Sequence, residues 1–237
     1  MTPLLIPEPS ISIGAVAGLF TSLLWVFTSL LFTAAGKRLG STVVNTSRLF
    51  MALAVHGLFF LFATGALFPN ASTQQITDLA LSGVVGLAIG DQFLFTAFLY
   101  TGPRLAILCM TTAPIWATLL GFAFLDEVLT LVTIAGMSIT IAAVIWAVFE
   151  RPKSKVDAQP HPHFRRGVVF ALIGALCQAA GLMWSKTGMG VGILPPDQRL
   201  DAQAATYIRM IFACAAIVPI FLVLHGVHRK SLAKGVI

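Results

Sequence analysis

The chain has 237 residues, of which 57% are hydrophobic and only 10% are charged. A soluble domain usually carries about 25% charged residues, so this composition excludes an ordinary water-solvated fold and fits lipid as the solvent. The formal net charge of +6 comes from few residues, and no stretch combines dense Lys and Arg with aromatic residues, so nucleic-acid binding is not expected.

Seven apolar runs in the chain are long enough to cross a bilayer. A crossing needs about 20 apolar residues, and an α-helix satisfies its own backbone hydrogen bonds in lipid. The composition and these runs together predict an all-α, polytopic membrane protein. In chain order, the predicted spans are 13–35, 49–68, 77–100, 105–125, 128–149, 167–185 and 205–224.

The segments that connect these spans differ in charge, and the difference predicts an orientation. Twelve Lys and Arg residues follow the odd-numbered spans, and two lie on the opposite side. Because Lys and Arg accumulate in cytoplasmic loops, we expect a cytoplasmic linker at 150–166 and an N-terminus outside. The twelve are Lys37, Arg38, Arg48, Arg104, Arg151, Lys153, Lys155, Arg165, Arg166, Arg229, Lys230 and Lys234, and the two are Lys186 and Arg199.

Two parts of the chain resemble each other. Gly14 begins the first span as Gly167 begins the sixth, and Arg48 and Arg209 are each followed by an alanine four residues later. These matches predict a repeat of five spans. Because five is odd, the second copy would be inverted, as in many secondary transporters, whose substrate site lies between the copies. The predicted domains are a complete first copy at 13–149, a charged linker at 150–166, two spans of a second copy at 167–224 and a basic tail at 225–237.

An ordered set of short motifs lies in the third to fifth spans. Together these motifs resemble the EamA domain of the drug/metabolite transporter superfamily. The resemblance implies a bundle of two inverted five-helix copies that moves amino acids, metabolites or drugs across the plasma (inner) membrane, as an exporter. The motifs are Gly86-Leu87-Ala88-Ile89-Gly90-Asp91, Phe95-Thr96-Ala97, Thr101-Gly102-Pro103-Arg104, Thr112-Ala113-Pro114-Ile115 and Leu125-Asp126-Glu127-Val128-Leu129-Thr130.

Two features depart from the family pattern, and one concerns a related group of transporters. The family commonly has Leu-Gly-Glu before the fifth span, where this chain has Leu125-Asp126-Glu127. Three helices of the second copy are not found, so we expect self-association or a partner chain to complete it, or else an inactive remnant. Related four-helix multidrug antiporters imply a membrane-embedded Glu in the first span. Its absence here disfavours proton coupling through that helix and leaves coupling elsewhere open.

Ionisable groups inside a membrane are costly, which makes each one a candidate for function. Asp91, followed by Gln92, is the deepest acid and lies near the middle of the third span. It would couple a proton or bind a cationic substrate, or else serve as a structural acid paired with an arginine. Arg48 and Arg209 would attract an anionic substrate or pair with acids at a gate. The alternative is that they extend to the interface, which is favoured for Arg48 because it lies close to a predicted loop.

Five further residues complete the candidate site. Trp25 and Gln178 lie at the same distance from the glycine that begins each copy. By the resemblance, their helices would face a central cavity. In the fourth span, Thr111 and Thr112 can bond to backbone carbonyls, and Pro114 can kink the helix, which suits either a gate or simple packing.

Other classes of function fit the sequence less well. A seven-helix receptor matches the span count but has no place for a five-span repeat. An intramembrane enzyme would need a metal cluster or a nucleophile and base, and the three cysteines and the pair His225 and His228 do not form one. We therefore predict a transporter without cofactor or metal, whose partners are a small-molecule substrate and the lipid bilayer.

Overall fold

The computed structural model describes residues 13–124, 129–150 and 162–233, and the side chains within these ranges except those of 13–15 and 225–233. This part of the chain contains helices and connecting turns without a strand. It contains seven helical stretches long and apolar enough to cross a membrane, which confirms the prediction of an all-α, polytopic membrane protein. The predicted turn at Leu125-Asp126-Glu127, most of the linker and the side chains of His225 and His228 lie outside the described residues.

The seven spans are built from nine α-helices and one π-helical segment among the described residues. The third span joins α3, the π segment and α4, and the fourth span joins α5 and α6. The elements are α1 (Ile13–Leu39), α2 (Ser41–Thr64), α3 (Thr73–Ser82), the π segment (Gly83–Gly90), α4 (Asp91–Thr101), α5 (Pro103–Met110), α6 (Ala113–Phe124), α7 (Leu131–Phe149), α8 (Phe164–Met189), a 3-10 turn (Pro196–Gln198) and α9 (Ala202–Ala233).

The second span begins eight residues earlier than predicted, at Ser41 instead of Leu49. The polar residues before Leu49 resemble a loop in the sequence, but they lie within α2 because their side chains bond to the third span. Arg48 therefore belongs to a helix and not to a loop. Without it, the charge count that predicts the orientation falls from twelve to eleven against two.

Chain breakers and caps define the ends of several helices. Ser72 and Gln75 form a reciprocal capping box at the start of α3, which satisfies backbone N–H groups that have no partner inside the helix. Gly102 has a φ of 79°, and Pro103 begins α5, so the third and fourth spans turn sharply into each other. The fourth span is interrupted after Met110, because Pro114 has no N–H for the Met110 carbonyl and its ring would clash with that group.

Helix α8 packs antiparallel along the whole third span through glycines that recur every seven residues. A Cβ built on Gly167 would lie 2.7 Å from Tyr100 Cβ at one end, and one built on Gly188 would lie 2.7 Å from Leu79 Cγ at the other. Between these ends, a Cβ on Gly181 would lie 2.9 Å from Gly86 Cα. The two backbones approach closely because glycine leaves no side chain between them. We call this contact the glycine seam; its α8 members are Gly167, Gly174, Gly181 and Gly188.

Helices α2 and α9 also pack against each other, and they run antiparallel. Leu49 of α2 is fully buried in one cluster with Ala213 and Ile217 of α9. Further along α2, the Phe60 ring stacks on that of Tyr207, with centroids 5.5 Å apart. Thus four spans, the second, third, sixth and seventh, enclose the centre of the described structure.

Candidate functional site

Asp91 lies at the centre of the four enclosing spans, as the first residue of α4 after the π segment. It is only 2% exposed, and both carboxylate oxygens have partners. Oδ2 forms an ion pair with Arg48 Nη2, and Oδ1 accepts a hydrogen bond of 2.6 Å from Gln178 Nε2. Asp91 thus links the second and sixth spans through the third.

Arg48 is held on the face of α2 that points toward Asp91. Its Nη2 also donates to Asn45 Oδ1 at 3.3 Å, one helical turn away. The guanidinium carbon lies 5.4 Å from the centroid of the buried Phe95 ring, in a cation–π arrangement. This observation contradicts the alternative in which Arg48 extends to the membrane interface, because its side chain turns into the bundle.

A row of polar side chains continues from Asp91 between α2 and α4. Asn45 is fully buried, and its Nδ2 donates to the Ala88 carbonyl at 3.3 Å and to Gln92 Oε1 at 3.4 Å. Gln92 Nε2 in turn donates to Thr42 Oγ1 at 3.0 Å. We call the whole set the polar network; its members are Ser41, Thr42, Asn45, Arg48, Asp91, Gln92, Thr96 and Gln178.

The π segment contributes to this arrangement through its backbone. Helices with π turns are rare and frequently lie at functional sites. Here the segment carries Gly83, Gly86 and Gly90, and it offers the Ala88 carbonyl to Asn45. On its other side, Ser82 Oγ donates to the Gly181 carbonyl across the glycine seam at 2.5 Å. Side-chain hydrogen bonds therefore tie the π segment and the residue before it to the second and sixth spans.

Arg209 of α9 lies beside the polar network without bonding to it. Its Nη2 would lie 3.8 Å from a Cβ built on Gly86, and its charge is close enough to attract Asp91. Its Nε is buried without a hydrogen-bond partner among the described residues. The centre of the bundle thus contains two guanidinium groups and one carboxylate.

The other predicted site residues form no hydrogen bond with the polar network among the described residues. Trp25 is 39% exposed on α1. Thr111 and Thr112 bond to carbonyls of their own helix turn, at 2.6 Å and 2.7 Å, and mark the interruption between α5 and α6. Pro114 is exposed at the start of α6. The described contacts therefore bring together five of the nine predicted residues, which are Arg48, Asp91, Gln92, Gln178 and, by charge alone, Arg209.

Sequence reasoning missed Ser41, Thr42, Asn45 and Thr96. The first three lie in the part of α2 that was predicted to be a loop. A signal was available, because positions 41, 42, 45 and 48 recur at the spacing of one helix face. A polar stripe of this kind ahead of an apolar run can mark the buried face of a span that begins earlier than its hydropathy indicates.

Two pockets open at the ends of α8, away from the polar network. One has a volume of about 450 Å³ and is lined by residues that include Asp78 and Trp184. The other, of about 420 Å³, is lined by Arg165, Arg166 and two apolar residues. The described residues contain no group of three or more side chains suited to hold a metal ion. The chemistry that the polar network itself offers is recognition by charge and hydrogen bonds.

Comparison with known proteins identifies a family. The model of the family described as EamA-like transporters matches residues 12–149, which is more than half of the chain. The match contains Arg48, Asp91 and the π segment and ends before α8 begins. No curated protein and no solved structure matches the chain.

Proposed function

The chain belongs to the EamA-like transporter family, and from that premise we propose that it exports a small molecule by alternating access, with the polar network as the substrate site. At the level of the family, the protein is a membrane transporter of small molecules and not an enzyme. The single observation that supports the site is the position of Asp91, a buried acid bonded to two other spans. Buried ionisable groups in membranes mark substrate and ion pathways.

The proposal includes two inverted copies that meet at this network, with 13–149 as the first copy and 167–224 as part of the second. Two features support it. Helices α2 and α9, which carry the related arginines, run antiparallel, as inverted copies require. Arg48 and Arg209 also approach the same carboxylate from opposite sides of the proposed boundary.

Export of small molecules from cells tests this function directly. Cells that express the wild-type chain, Gln178→Leu or Ser138→Ala are compared by mass spectrometry of the medium. Ser138 is the matched control, because it is exposed on α7 and, among the described residues, its side chain bonds only within its own helix, to the Ile134 carbonyl. We expect at least one compound to accumulate outside wild-type cells. Its export should fall about ten-fold in Gln178→Leu, because a hydrogen bond to a charged group is lost, and stay unchanged in Ser138→Ala.

Two results would contradict the proposal. If the wild-type medium equals that of cells without the chain, although the protein is present in the membrane, the chain does not export. If Ser138→Ala loses as much export as Gln178→Leu, the polar network is not the substrate site.

We also propose that the linker at 150–166 is cytoplasmic. The support is the charge count, in which eleven Lys and Arg residues lie on the side of the linker and two on the opposite side. A cysteine introduced by Ser154→Cys tests this orientation, in a background without the three native cysteines. A membrane-impermeant maleimide should label it only after the cells are opened. Equal labelling of intact cells would reverse the orientation.

A further inference from the structure

The charges at the centre of the bundle do not balance. Arg48 and Arg209 bring two positive charges to one negative charge on Asp91. The carboxylate is already engaged, because Arg48 bonds to one oxygen and Gln178 to the other. A cation inside a membrane is costly unless a counter-charge accompanies it. The described residues leave one positive charge at this site without a partner of its own.

Arg209 is the cation that remains available. The ion pair of the described structure joins Arg48 to Asp91, and none within 4.0 Å involves Arg209. Its Nε is buried and has no hydrogen-bond partner among the described residues. A guanidinium group has five N–H donors in a fixed fork that matches a carboxylate with two parallel bonds. Arg209 therefore presents unused donors to whatever occupies the centre.

The surrounding backbone fixes Arg209 in this place. A Cβ on Gly83 would collide with the Arg209 carbonyl, and one on Gly86 would come within 3.8 Å of Nη2. The glycines of the π segment thus hold α9 so close that the arginine side chain lies against the third span. Its position next to Asp91 follows from packing, although no bond between the two side chains holds it there.

We propose that Arg209 binds the carboxylate group of the transported molecule, so that the substrate is a small organic anion with a single negative charge at this site. The excess of one positive charge matches a monoanion. The hydrogen-bonding groups of Gln178, Gln92 and Asn45 lie in the same centre to orient the rest of the molecule. This inference rests on the proposed function, because it names the class of substrate for the same site.

Thermal unfolding of the purified full-length protein in detergent tests the inference without a known substrate. The probes are benzoate and propionate, each compared with its neutral amide, benzamide or propionamide. We expect the carboxylates to raise Tm by roughly 5 to 10 °C at a hundred times their Kd and the amides to leave it unchanged. Arg209→Gln should abolish the shift, and Arg209→Lys should retain part of it, because Lys keeps the charge without the fork.

Two further variants separate binding from structure. Arg199→Gln removes an exposed arginine whose side chain, in the part of the chain that the structure describes, bonds only to the Leu194 carbonyl, and this variant should keep the full shift. Without probe, Arg209→Gln should have a Tm equal to or above that of the wild type, because an uncompensated charge is removed, whereas Arg48→Gln should lower it.

Three results of the thermal unfolding experiments would overturn the inference. The first is no difference between carboxylate and amide with the wild-type protein, and the second is an unchanged shift in Arg209→Gln. The third is a probe-free Tm of Arg209→Gln that falls as far as that of Arg48→Gln. The last result would make Arg209 a structural partner of Asp91. Failure of the proposed function looks different, because carboxylate binding would persist while no compound is exported. Conversely, export of a neutral compound that survives Arg209→Gln would overturn the anionic substrate and leave transport intact.

Discussion

The third and fifth spans are both apolar helices of a membrane protein, but they meet different surroundings. Half of an 18-residue apolar window of the third span is buried in protein, whereas α7, which forms the fifth, has Val144 as its buried residue. The fifth span nevertheless has the higher mean hydropathy. Mean hydropathy therefore identifies a membrane helix without telling whether protein or lipid covers it. Small and polar residues indicate which helix faces are covered by protein, because other helices contact these residues.

Replacement of Asp91 should produce the largest difference between these two spans in the free energy of unfolding. Asp91→Asn removes the charge that pairs with Arg48, and breaking a buried ion pair costs about 3 to 5 kcal/mol. The matched change at the end of α7 is Glu150→Gln, whose side chain accepts from Trp146 Nε1 at an exposed position. It should alter the free energy of unfolding by less than about 0.5 kcal/mol.

Denaturant titration of both purified variants in detergent gives the two values. Equal losses for Asp91→Asn and Glu150→Gln would mean that the ion pair does not contribute to stability and that the contrast between the spans is wrong.

A substitution in the glycine seam should lower the free energy of unfolding by an intermediate amount. Gly181→Ala places a Cβ 2.9 Å from Gly86 Cα, a backbone atom that cannot move alone, so we expect a loss of about 1 to 3 kcal/mol. Gly136→Ala is the control on α7, where a Cβ meets nothing within 4 Å. It should leave the unfolding free energy unchanged or slightly raised, because alanine favours helix. A stable Gly181→Ala would show that the third and sixth spans are not packed this closely.

The smallest loss of stability is expected when an uncharged residue of the polar network is replaced. Asn45→Ala removes one acceptor for Arg48 and the donor to Ala88 and Gln92, at a cost of about 1 kcal/mol. Ser138→Ala on α7 should cost nearly nothing, because its hydroxyl bonds to its own helix. Thermal unfolding measures the stability of both variants. A loss of stability for Ser138→Ala as large as that for Asn45→Ala would contradict the contrast between the polar network and α7.

The number of spans could be predicted from the sequence, whereas the start of α2 could not. Seven spans follow from composition, because a helix is the only simple way to satisfy a backbone in lipid. The start of α2 does not follow from hydropathy, because its polar residues become compatible with a membrane helix only once the third span supplies their partners.

The candidate site divides in the same way. Asp91 and the two arginines stand out in the sequence because charges inside a membrane are rare. Their arrangement could not be predicted, since the pairing of Arg48 with Asp91 depends on how the third span packs on α2. The resemblance implies that Trp25, like Gln178, lies on a helix that faces a central cavity, but in the described structure Trp25 is 39% exposed on α1. Sequence spacing places a residue along a helix, whereas the packing partners decide which face turns inward.

The central claim is that the polar network belongs to a path that opens to water, whereas α7 faces lipid. Accessibility of single cysteines tests it most directly, in the full-length chain with Cys109, Cys177 and Cys214 replaced by alanine. Thr96→Cys lies in the polar network, and Ile139→Cys lies on the exposed apolar face of α7. In membrane vesicles, a membrane-impermeant thiol reagent should label Thr96→Cys at least about ten-fold faster than Ile139→Cys, from one side of the membrane or the other. If neither position is labelled from either side, the polar network is sealed and does not serve as a transport site.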